Sequence, residues 1–573
     1  MKKKLLSLLL ASCMVVSLAA CGGKTDGGSA STGDGATADG GDATEAATGV
    51  ATPAWDEYDA LIQEIKTTTD FAKRVDLMHQ AEDKLMETFA VIPIYYYNDL
   101  YMQKANVDGI YANAYGFKYF QAATKTGSSD DKTLFLNLAS EPDYLDPALN
   151  SSVDGACLAI ASFSGLMEYD KDGKTVPAVA AEAPSVSDDG TEWTIKLKET
   201  KWSNGDALTA NDFVYSWNRA VADETAADYA YMFDVIARGD DDKLAVEAVD
   251  DYTLKITLTN PCPYFESLLA FPAYFPVHQA SVEAANPNGD APGAWCQEAG
   301  FVSNGPYTCT AWKHDESMTY EKNPNFYDAD KVTMDKLQFM LSADDTAIYA
   351  AYNNGDLDFI DTVPTDEIQS LKDNKEFHII DNLGTYYLAF NVKSDLFDGL
   401  TEQQANDFRH AICLLIDRDY IVETVGQCEQ VLADSYIPEG MSDGNGGMFK
   451  NKSYYDATTT DVEQAKELLE GCGYTFTDNG DGTYTPDKTI SIPYIINESS
   501  GHQAIAECVQ SDLAVLGIEM TITSEDWNVF LQDRKDGNYT FAREGWLADF
   551  DDPINMLEMF TTESGNNDPQ FGR

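Results

Sequence analysis

The amino-terminal segment constrains this 573-residue chain more than any other feature, because it marks the chain for export. Lys2, Lys3 and Lys4 precede an apolar run at residues 5–20. That run is shorter than the ~20 residues that a membrane helix needs, and no stop-transfer pattern follows it. We therefore predict a signal peptide at residues 1–20. No other segment approaches membrane length, so we expect the mature chain to be soluble.

The residues around the predicted cleavage site resemble the lipobox of bacterial lipoproteins. The sequence there is Leu18-Ala19-Ala20-Cys21-Gly22, with small residues where the signal peptidase needs them. The resemblance implies cleavage before Cys21 and lipidation of its thiol, which would anchor the protein at the extracytoplasmic face of the cell membrane. An ordinary signal peptide with an incidental cysteine is the alternative. Residues 21–52 are mostly Gly, Thr, Ala, Asp and Ser, and we predict a flexible linker.

The net charge of -58 is extreme and bears on the class of partner. It argues against nucleic acid, whose phosphates would be repelled. The acids are spread along the whole chain, which fits a solvated surface, while attraction of cationic ligands is the functional alternative. Apolar residues make up 44% of the chain, as expected of a globular protein with sizeable cores and two or more domains.

Catalytic and metal-binding signatures are absent from the sequence. It contains no HExxH, GxSxG or Walker motif, and its six histidines are scattered. The eight cysteines after Cys21 form no CxxC pair, and their disulfide state stays open. We therefore expect neither an enzyme nor a bound cofactor or metal. An exported enzyme such as a glycosidase remains an alternative, because carboxylates are abundant enough to pair by chance.

Hydrophobic periodicity predicts both helices and strands. Two helical patterns precede a buried strand at residues 91–97, in which Pro93 indicates an edge or a bulge. Strands and helices then alternate irregularly. The patterns predict strands at residues 133–138, 193–197 and 252–258, helices at 206–220 and 402–425, and a hairpin turn at 478–482.

Spaced motifs along residues 133–567 resemble solute-binding protein family 5, the oligopeptide and dipeptide receptors of ABC importers. The motifs include Val176-Pro177-Ala178, Trp193-Thr194-Ile195-Lys196-Leu197, Lys201-Trp202-Ser203-Asn204-Gly205-Asp206, Leu208-Thr209-Ala210-Asn211-Asp212-Phe213, Asn304-Gly305-Pro306-Tyr307, Lys322-Asn323-Pro324-Asn325-Phe326-Tyr327 and Gly545-Trp546-Leu547-Ala548-Asp549. The resemblance implies an α/β, two-lobed periplasmic-binding-protein-like fold of class II, or cluster C type, that closes on its ligand.

The order of the segments departs from the family pattern. Residues 53–97 resemble the two helices and the strand that end other family members, so the chain is expected to be circularly permuted, with residues 124–131 as the bridge. The resemblance then implies lobe II from residues 53–97 and 384–573. Lobe I would comprise residues 98–383, with an extra subdomain at about 155–275. Crossings between lobes are expected near residues 95–98 and 382–386. A recombined or misassembled gene is the alternative explanation.

The resemblance also implies a binding site that holds what all peptides share, namely the backbone and the charged termini. It assigns Asp549 to the ammonium group, with Asp551 and Asp552 as possible substitutes. Gly545, Trp546 and Leu547 would offer backbone groups, opposed by Ser152 and Val153 of the other lobe. The assigned carboxylate partners are Arg543, Arg534 and His502, and the pocket aromatics are Trp527 and Trp546.

The expected function is therefore that of a lipid-anchored receptor that delivers oligopeptides to the transmembrane subunits of an ABC permease. We expect it to act as a monomer, attached to the membrane through Cys21. Three alternatives stay open besides the enzyme: a receptor of the same family for a nickel chelate, haem or oligosaccharide, an adhesion lipoprotein, and a sensing lipoprotein. Peptide length, side-chain preference and the partner permease do not follow from the sequence.

Overall fold

A computed structural model describes residues 52–127, 132–138 and 140–573. The predicted signal peptide, the lipidation site Cys21, nearly all of the linker and half of the predicted bridge lie outside these residues. We use lobe I and lobe II below for the residue ranges predicted above.

Several helices begin at a capping residue. Asp70 caps α2, Ser152 caps α3 and Thr401 caps α9, each accepting from a free backbone N–H of the first turn, and at α4 the backbone N–H of Thr209 donates to the carboxylate of Asp212. The helices are α1 (Asp56–Thr67), α2 (Phe71–Glu87), α3 (Val153–Ser162), α4 (Ala210–Ala220), α5 (Phe265–Leu268), α6 (Gln279–Ala285), α7 (Asp345–Asn354), α8 (Thr365–Leu371), α9 (Glu402–Leu415), α10 (Arg418–Ile421), α11 (Val462–Gly471), α12 (Ser500–Ala514), α13 (Trp527–Lys535) and α14 (Ile554–Glu558). Within the described ranges, none of the helices has the length and hydropathy needed to cross a bilayer.

The strands are mostly short, apart from two long ones, β1 and β19. In chain order they are β1 (Val91–Gln103), β2 (Val107–Asp108), β3 (Tyr111–Ala112), β4 (Lys118–Tyr119), β5 (Thr124–Lys125), β6 (Thr133–Asn137), β7 (Met167–Tyr169), β8 (Thr175–Pro177), β9 (Ser185–Val186), β10 (Glu192–Lys196), β11 (Thr200–Lys201), β12 (Ala207–Leu208), β13 (Val246–Asp250), β14 (Thr253–Thr257), β15 (Tyr307–Lys313), β16 (Ser317–Lys322), β17 (Lys336–Met340), β18 (Phe359–Ile360), β19 (Phe377–Phe390), β20 (Val431–Leu432), β21 (Phe476–Asp478), β22 (Tyr484–Pro486), β23 (Ser491–Asn497), β24 (Glu519–Glu525) and β25 (Phe541–Leu547).

One 11-stranded mixed sheet runs through both lobes in the order β15-β16-β17-β6-β18-β1-β19-β25-β23-β24, with β20 on β1. The strands from β15 to β18 belong to lobe I, and β25, β23 and β24 belong to lobe II. Only β1 and β19 connect the two groups within this order. A separate sheet, β13-β14-β10-β9, lies within the predicted extra subdomain.

The antiparallel pair of β1 and β19 forms the connection between lobes. β1 meets β18 at Met102 and Gln103, whereas β19 meets β25 from Gly384 onward. The pairing of β1 with β19 shifts register after Pro93 and again after Tyr96. Because Pro93 cannot donate to a ladder, the bulge beside it agrees with the sequence expectation of an edge or a bulge.

The two amino-terminal helices pack against the last segment of the chain. Trp55 stacks on Phe571 with ring centroids 3.9 Å apart, and its indole N–H donates to the carbonyl of Phe560 at 2.7 Å. Arg74 of α2 donates two hydrogen bonds, of 2.8 and 2.7 Å, to the buried carboxylate of Asp552. These contacts join α1 and α2 to residues 550–573. The assignment of the two helices to lobe II stays a prediction, and their buried side chains share one core with lobe I residues such as Tyr274.

Two helix predictions were wrong at their boundaries. The helix expected from residue 206 begins at Ala210, because Thr209 and Asp212 form a capping box there. The helix expected at residues 402–425 ends at Leu415, and Asp417 caps a new turn, α10. The hairpin turn at residues 478–482 is present between β21 and β22.

Candidate functional site

A cleft between the lobes, made of two adjoining cavities, lies beside the crossing strands. The first has a volume of about 260 Å³ and the second of about 560 Å³. Six residues line both cavities: Tyr97, Val153, Asp154, Trp527, Arg543 and Leu547. Nine of the ten predicted site residues line the first cavity, and the tenth, His502, lines the second. The fold therefore brings all ten to one cleft.

Strand β25 supplies the lobe II wall of the first cavity. Along one edge it pairs with β19, with Gly545 opposite Tyr386 and Leu547 opposite Gly384. Along its other edge, β23 pairs only with Phe541 and Ala542. Among the described residues, no strand covers positions 543–547 on that side. This edge of β25 can therefore accept an extended chain.

Gly545 lies so close to Tyr97 that a side chain at this position would clash with the tyrosine. A Cβ atom at this position would lie 2.2 Å from the hydroxyl oxygen of Tyr97, far inside van der Waals contact. The glycine therefore allows the tyrosine of the crossing strand β1 to approach the backbone of β25. This contact places Tyr97 in the wall shared by the two cavities.

Asp549 follows β25 and is a buried carboxylate without a cation. It is 6% exposed, and no lysine, arginine or histidine pairs with it among the described residues. Asn555 donates to its Oδ2 at 2.8 Å, and Tyr229 donates to its Oδ1 at 3.3 Å. Burial raises the pKa of the Asp549 carboxyl to about 7. The carboxylate is held in place and is costly to ionise until a positive charge arrives.

Asp551 and Asp552, the possible substitutes, are engaged elsewhere. Asp552 is paired with Arg74, and Oδ1 of Asp551 accepts from the backbone N–H of Ser442 at 2.7 Å. Neither side chain lines either cavity. Of these three acids, Asp549 alone lines the cavity and can contact a ligand there.

Arg543 lies on β25 in the wall shared by the two cavities. Its Nη2 donates to the hydroxyl of Tyr97 at 3.4 Å, and its guanidinium lies 5.5 Å from the ring centroid of Tyr386. Its Nε has no partner, and no carboxylate forms an ion pair with it among the described residues. A guanidinium held by aromatic residues, with donors unused, can bind a carboxylate.

Arg534, also predicted to face the peptide's carboxylate, is differently placed. This residue of α13 is buried and forms an ion pair with Glu544, and its Nε lies 3.7 Å from Asp568. Burial raises the pKa of the Glu544 carboxyl to about 8, against the opposing effect of Arg534. Arg534 lines the first cavity, but its charge already has a partner within lobe II.

His502 lies in the first turn of α12, and its Nδ1 is 3.3 Å from the hydroxyl of Tyr386. Burial, and then the nearby charge of Arg543, lower the pKa of the imidazole well below its usual range. His502 is therefore neutral at physiological pH. In that state it can donate one hydrogen bond to a ligand but cannot supply a full positive charge.

The remaining predicted residues form the walls. Trp527 begins α13 and leaves its indole N–H without a partner, whereas Trp546 donates its N–H to Asn555 at 3.1 Å. Ser152 caps α3, and Val153 is the first residue of that helix. They face the cleft from lobe I, opposite β25.

Sequence reasoning missed the residues that join the lobes at the cleft. Besides Tyr229, these include Lys535 of lobe II, whose ammonium group forms an ion pair with Asp228 and contacts the hydroxyl of Ser151 at 3.2 Å. Tyr229 and Asp228 belong to an irregular segment after α4, which no periodic pattern distinguishes. In the described ranges, no three His, Cys, Asp or Glu side chains are grouped as a metal site.

Comparison with known proteins gives the family. The model of the bacterial extracellular solute-binding proteins, family 5, matches residues 174–568, which is most of the chain. The chain belongs to this family. Oligopeptide-binding protein OppA of Bacillus subtilis is 33% identical over 466 residues, which cover 77% of this chain and 80% of OppA. The predicted family is thereby confirmed.

Solved structures of family 5 proteins show the same fold. Listeria monocytogenes OppA bound to peptide is 30% identical, with a TM-score of 0.67 over 77% of this chain and 86% of that one. Haemophilus influenzae OppA in complex with RPPGFSPFR is 27% identical, with a TM-score of 0.68 over 78% of this chain and 85% of that one. The two-lobed α/β fold expected from the sequence is confirmed for this family 5 member.

Proposed function

We propose that this family 5 protein is the extracytoplasmic substrate-binding component of an ABC importer and binds oligopeptides. One observation carries the proposal: Asp549 and Arg543 line the same cavity, and neither forms an ion pair among the described residues. A peptide with free termini supplies both missing charges, an ammonium for Asp549 and a carboxylate for Arg543. Burying an unpaired charge is costly, so such a ligand stabilises the closed cleft.

The free edge of β25 supports backbone recognition. Positions 543–547 have β19 on one side only, so an extended peptide can add there as a further strand. Main-chain hydrogen bonds bind any sequence, because every residue carries the same donor and acceptor. Ser152 and Val153 close the opposite side from lobe I.

Contacts across the cleft support coupling between binding and closure. Tyr229 of lobe I holds Asp549 of lobe II, and Lys535 of lobe II pairs with Asp228 of lobe I. A ligand that occupies the cavity contacts both lobes at once and favours the closed state by its differential affinity. The closed receptor would then be recognised by the transmembrane subunits of the permease. No catalytic step is part of this function.

The relatives' names support this ligand class. Dipeptide-binding protein DppE of Bacillus subtilis is 32% identical over 77% of this chain and 79% of its own length. We propose further that the protein acts as a monomer and is anchored through a lipid on Cys21. A Cys21→Ser variant is expected to appear in the medium or periplasm rather than in the membrane fraction.

The circular permutation remains a proposal as well. It is supported by the stacking of Trp55 on Phe571 and by the ion pair of Arg74 with Asp552. Both contacts join the amino-terminal helices to the end of the chain, as a relocated terminal segment requires. A chain assembled from unrelated pieces has no reason to form a buried bidentate ion pair at this junction.

Extraction of the bound ligand tests the proposed function. The protein is purified without denaturation, and the ligand is released by acid and identified by mass spectrometry. We expect peptides with free amino termini. Finding a sugar or a metal chelate instead, with no peptide, would contradict peptide binding while leaving the family assignment intact.

A further inference from the structure

The larger cavity of the cleft carries an unbalanced negative charge. Eight carboxylates line it, against two cations, Lys118 and Arg543, among the described lining residues. His502 adds no full charge there, because burial lowers the pKa of its imidazole. Three of the eight, Asp315, Glu498 and Asp526, are exposed, whereas Asp99, Asp154 and Asp361 are partly buried and differ in this respect from the acids of the outer surface.

Two of the carboxylates share a single lysine. The ammonium group of Lys118 lies 2.5 Å from Oδ2 of Asp99 and 2.9 Å from Oδ2 of Asp361. The lysine side chain is only 3% exposed, so the triad places two carboxyl groups against one ammonium group inside the wall of the cavity. Oδ1 of Asp361 is buried and has no hydrogen-bond partner. The triad can therefore accept a further cation or donor.

Asp154 adds a second uncompensated acid. It lines both cavities, from the first turn of α3, and no cation forms an ion pair with it among the described residues. Burial raises the pKa of the Asp154 carboxyl, against the opposing effect of hydrogen bonds from Ser152 and the backbone at the helix amino terminus, so a ligand cation beside it would stabilise its ionised form.

An independent observation points to a ligand in the same cavity. Asn382 of the crossing strand β19 lines it and is 6% exposed, so the side chain is almost wholly buried. Its Nδ2 reaches the carbonyl oxygens of Asn113 and Ala114 at 3.4 Å, whereas its Oδ1 has no partner. A buried acceptor left unpaired costs free energy, and a donor carried by a ligand would remove that cost.

We propose that the larger cavity is a subsite for a cationic side chain, lysine or arginine, of a bound peptide, recognised by Asp154 and by the Asp99–Lys118–Asp361 triad. This inference rests on the proposed peptide binding. Asp549 lines only the smaller cavity, so the cationic residue lies away from the ammonium end of the peptide. An ammonium or guanidinium group in this cavity neutralises carboxylate charge that closure of the lobes would otherwise bury unpaired.

Isothermal titration calorimetry with tetra-alanine peptides tests the subsite. Lysine, norleucine or glutamate replaces each alanine in turn, so that chain length is constant and norleucine matches the apolar stem of lysine. At one position after the first, lysine is expected to bind about tenfold more tightly than norleucine, and glutamate more weakly than both. If the lysine peptide binds no more tightly than the norleucine peptide at any position, the proposed subsite is wrong. If tetra-alanine itself does not bind, the proposed peptide binding fails.

Two variants distinguish the subsite from the general field of an acidic protein. Asp154→Asn removes one charge from the cavity, and Asp240→Asn removes one from an exposed position of lobe I outside the cleft. The lysine preference is expected to fall at least threefold in the first variant and to persist in the second. An equal loss in both would assign the preference to long-range attraction and overturn the subsite. Thermal unfolding shows whether each variant is folded. If either variant fails to fold, the peptide series measured with the wild-type protein still tests the subsite.

Discussion

The hydroxyl of Tyr229 donates a 3.3 Å hydrogen bond to Oδ1 of Asp549 across the cleft between the lobes. Asn555 donates to the other carboxylate oxygen at 2.8 Å, so each oxygen accepts a hydrogen bond from a neutral donor. Two neutral donors fix the position of the carboxylate without neutralising it. The site is therefore arranged for a cation that the protein itself does not supply.

Replacing the carboxylate tests the assigned ammonium partner. Asp549→Asn keeps the size of the side chain and removes its charge, and we expect peptide affinity to fall at least a hundredfold by calorimetry. Asp551→Asn is the matched control, since Asp551 lies outside both cavities. Equal affinities for the two variants would remove Asp549 from the site.

The same variant should be more stable than the wild type when no ligand is bound. Burial raises the pKa of the Asp549 carboxyl from 3.8 to about 7, so the ionised form destabilises the folded state. That cost is absent below the unfolded pKa, grows as pH rises, and is complete above about pH 7. In thermal or urea unfolding, Asp549→Asn should gain on the order of 2 kcal/mol at pH 8 and nothing at pH 4. A loss of stability at pH 8 would contradict the unpaired carboxylate.

Peptide affinity should depend on pH through Asp549. Burial raises the pKa of the Asp549 carboxyl to about 7, and only the ionised carboxylate binds the ammonium group of a peptide. Peptide affinity should therefore decrease as pH falls below 7. The expected loss approaches tenfold per pH unit, with proton release on binding at pH 6. Calorimetry at pH 6 in buffers of different ionisation enthalpy measures that release. Asp549→Asn should release no proton, and an equal release from it would assign the titration to another group.

The two arginines of the cleft should behave differently. Arg543 has no carboxylate partner, so Arg543→Met should reduce the affinity for a peptide with a free carboxylate and leave its carboxamide analogue little changed. Arg534 is paired with Glu544 in the interior, so Arg534→Met should instead destabilise the fold by about 3–5 kcal/mol. Calorimetry and urea unfolding of both variants test the distinction. A carboxylate-specific loss for Arg534→Met would assign that role to Arg534.

The proposed permutation predicts that the chain can be reopened at the bridge. Trp55 and Phe571 are stacked, so a short linker can join the two ends of the described fold, while a new start is placed within the predicted bridge, residues 124–131. Such a chain should fold and bind peptides with unchanged affinity, because permutation preserves the native contacts. Circular dichroism and calorimetry compare it with the original order. A molten or aggregated product would argue against the permutation.

The sequence predicted the family and two strands of the central sheet, β1 and β6, and the ten site residues that it assigned all line the cleft. Gly545, Trp546 and Asp549 belong to a single motif at the end of β25. The start of α4 was predicted too early, at residue 206, although Thr209 and Asp212 have the spacing of a capping box.

The charge partners were not predictable in the same way. Arg534 pairs with Glu544 from another element, and the Lys118 triad joins residues of β1, β4 and the segment after β18. Such contacts depend on how the lobes fold and close, which local patterns do not specify. For this reason the sequence grouped Arg534 with Arg543, although only Arg543 lacks an ion-pair partner among the described residues.

The most direct test of peptide binding compares one peptide with its amino-terminally acetylated form. Acetylation removes the ammonium charge and leaves the backbone, the side chains and the free carboxylate unchanged. Calorimetry with the wild-type protein at pH 7.5 should give tight one-to-one binding of the free peptide and at least a hundredfold weaker binding of the acetylated one. Equal affinity for both forms would contradict recognition of the peptide ammonium by Asp549.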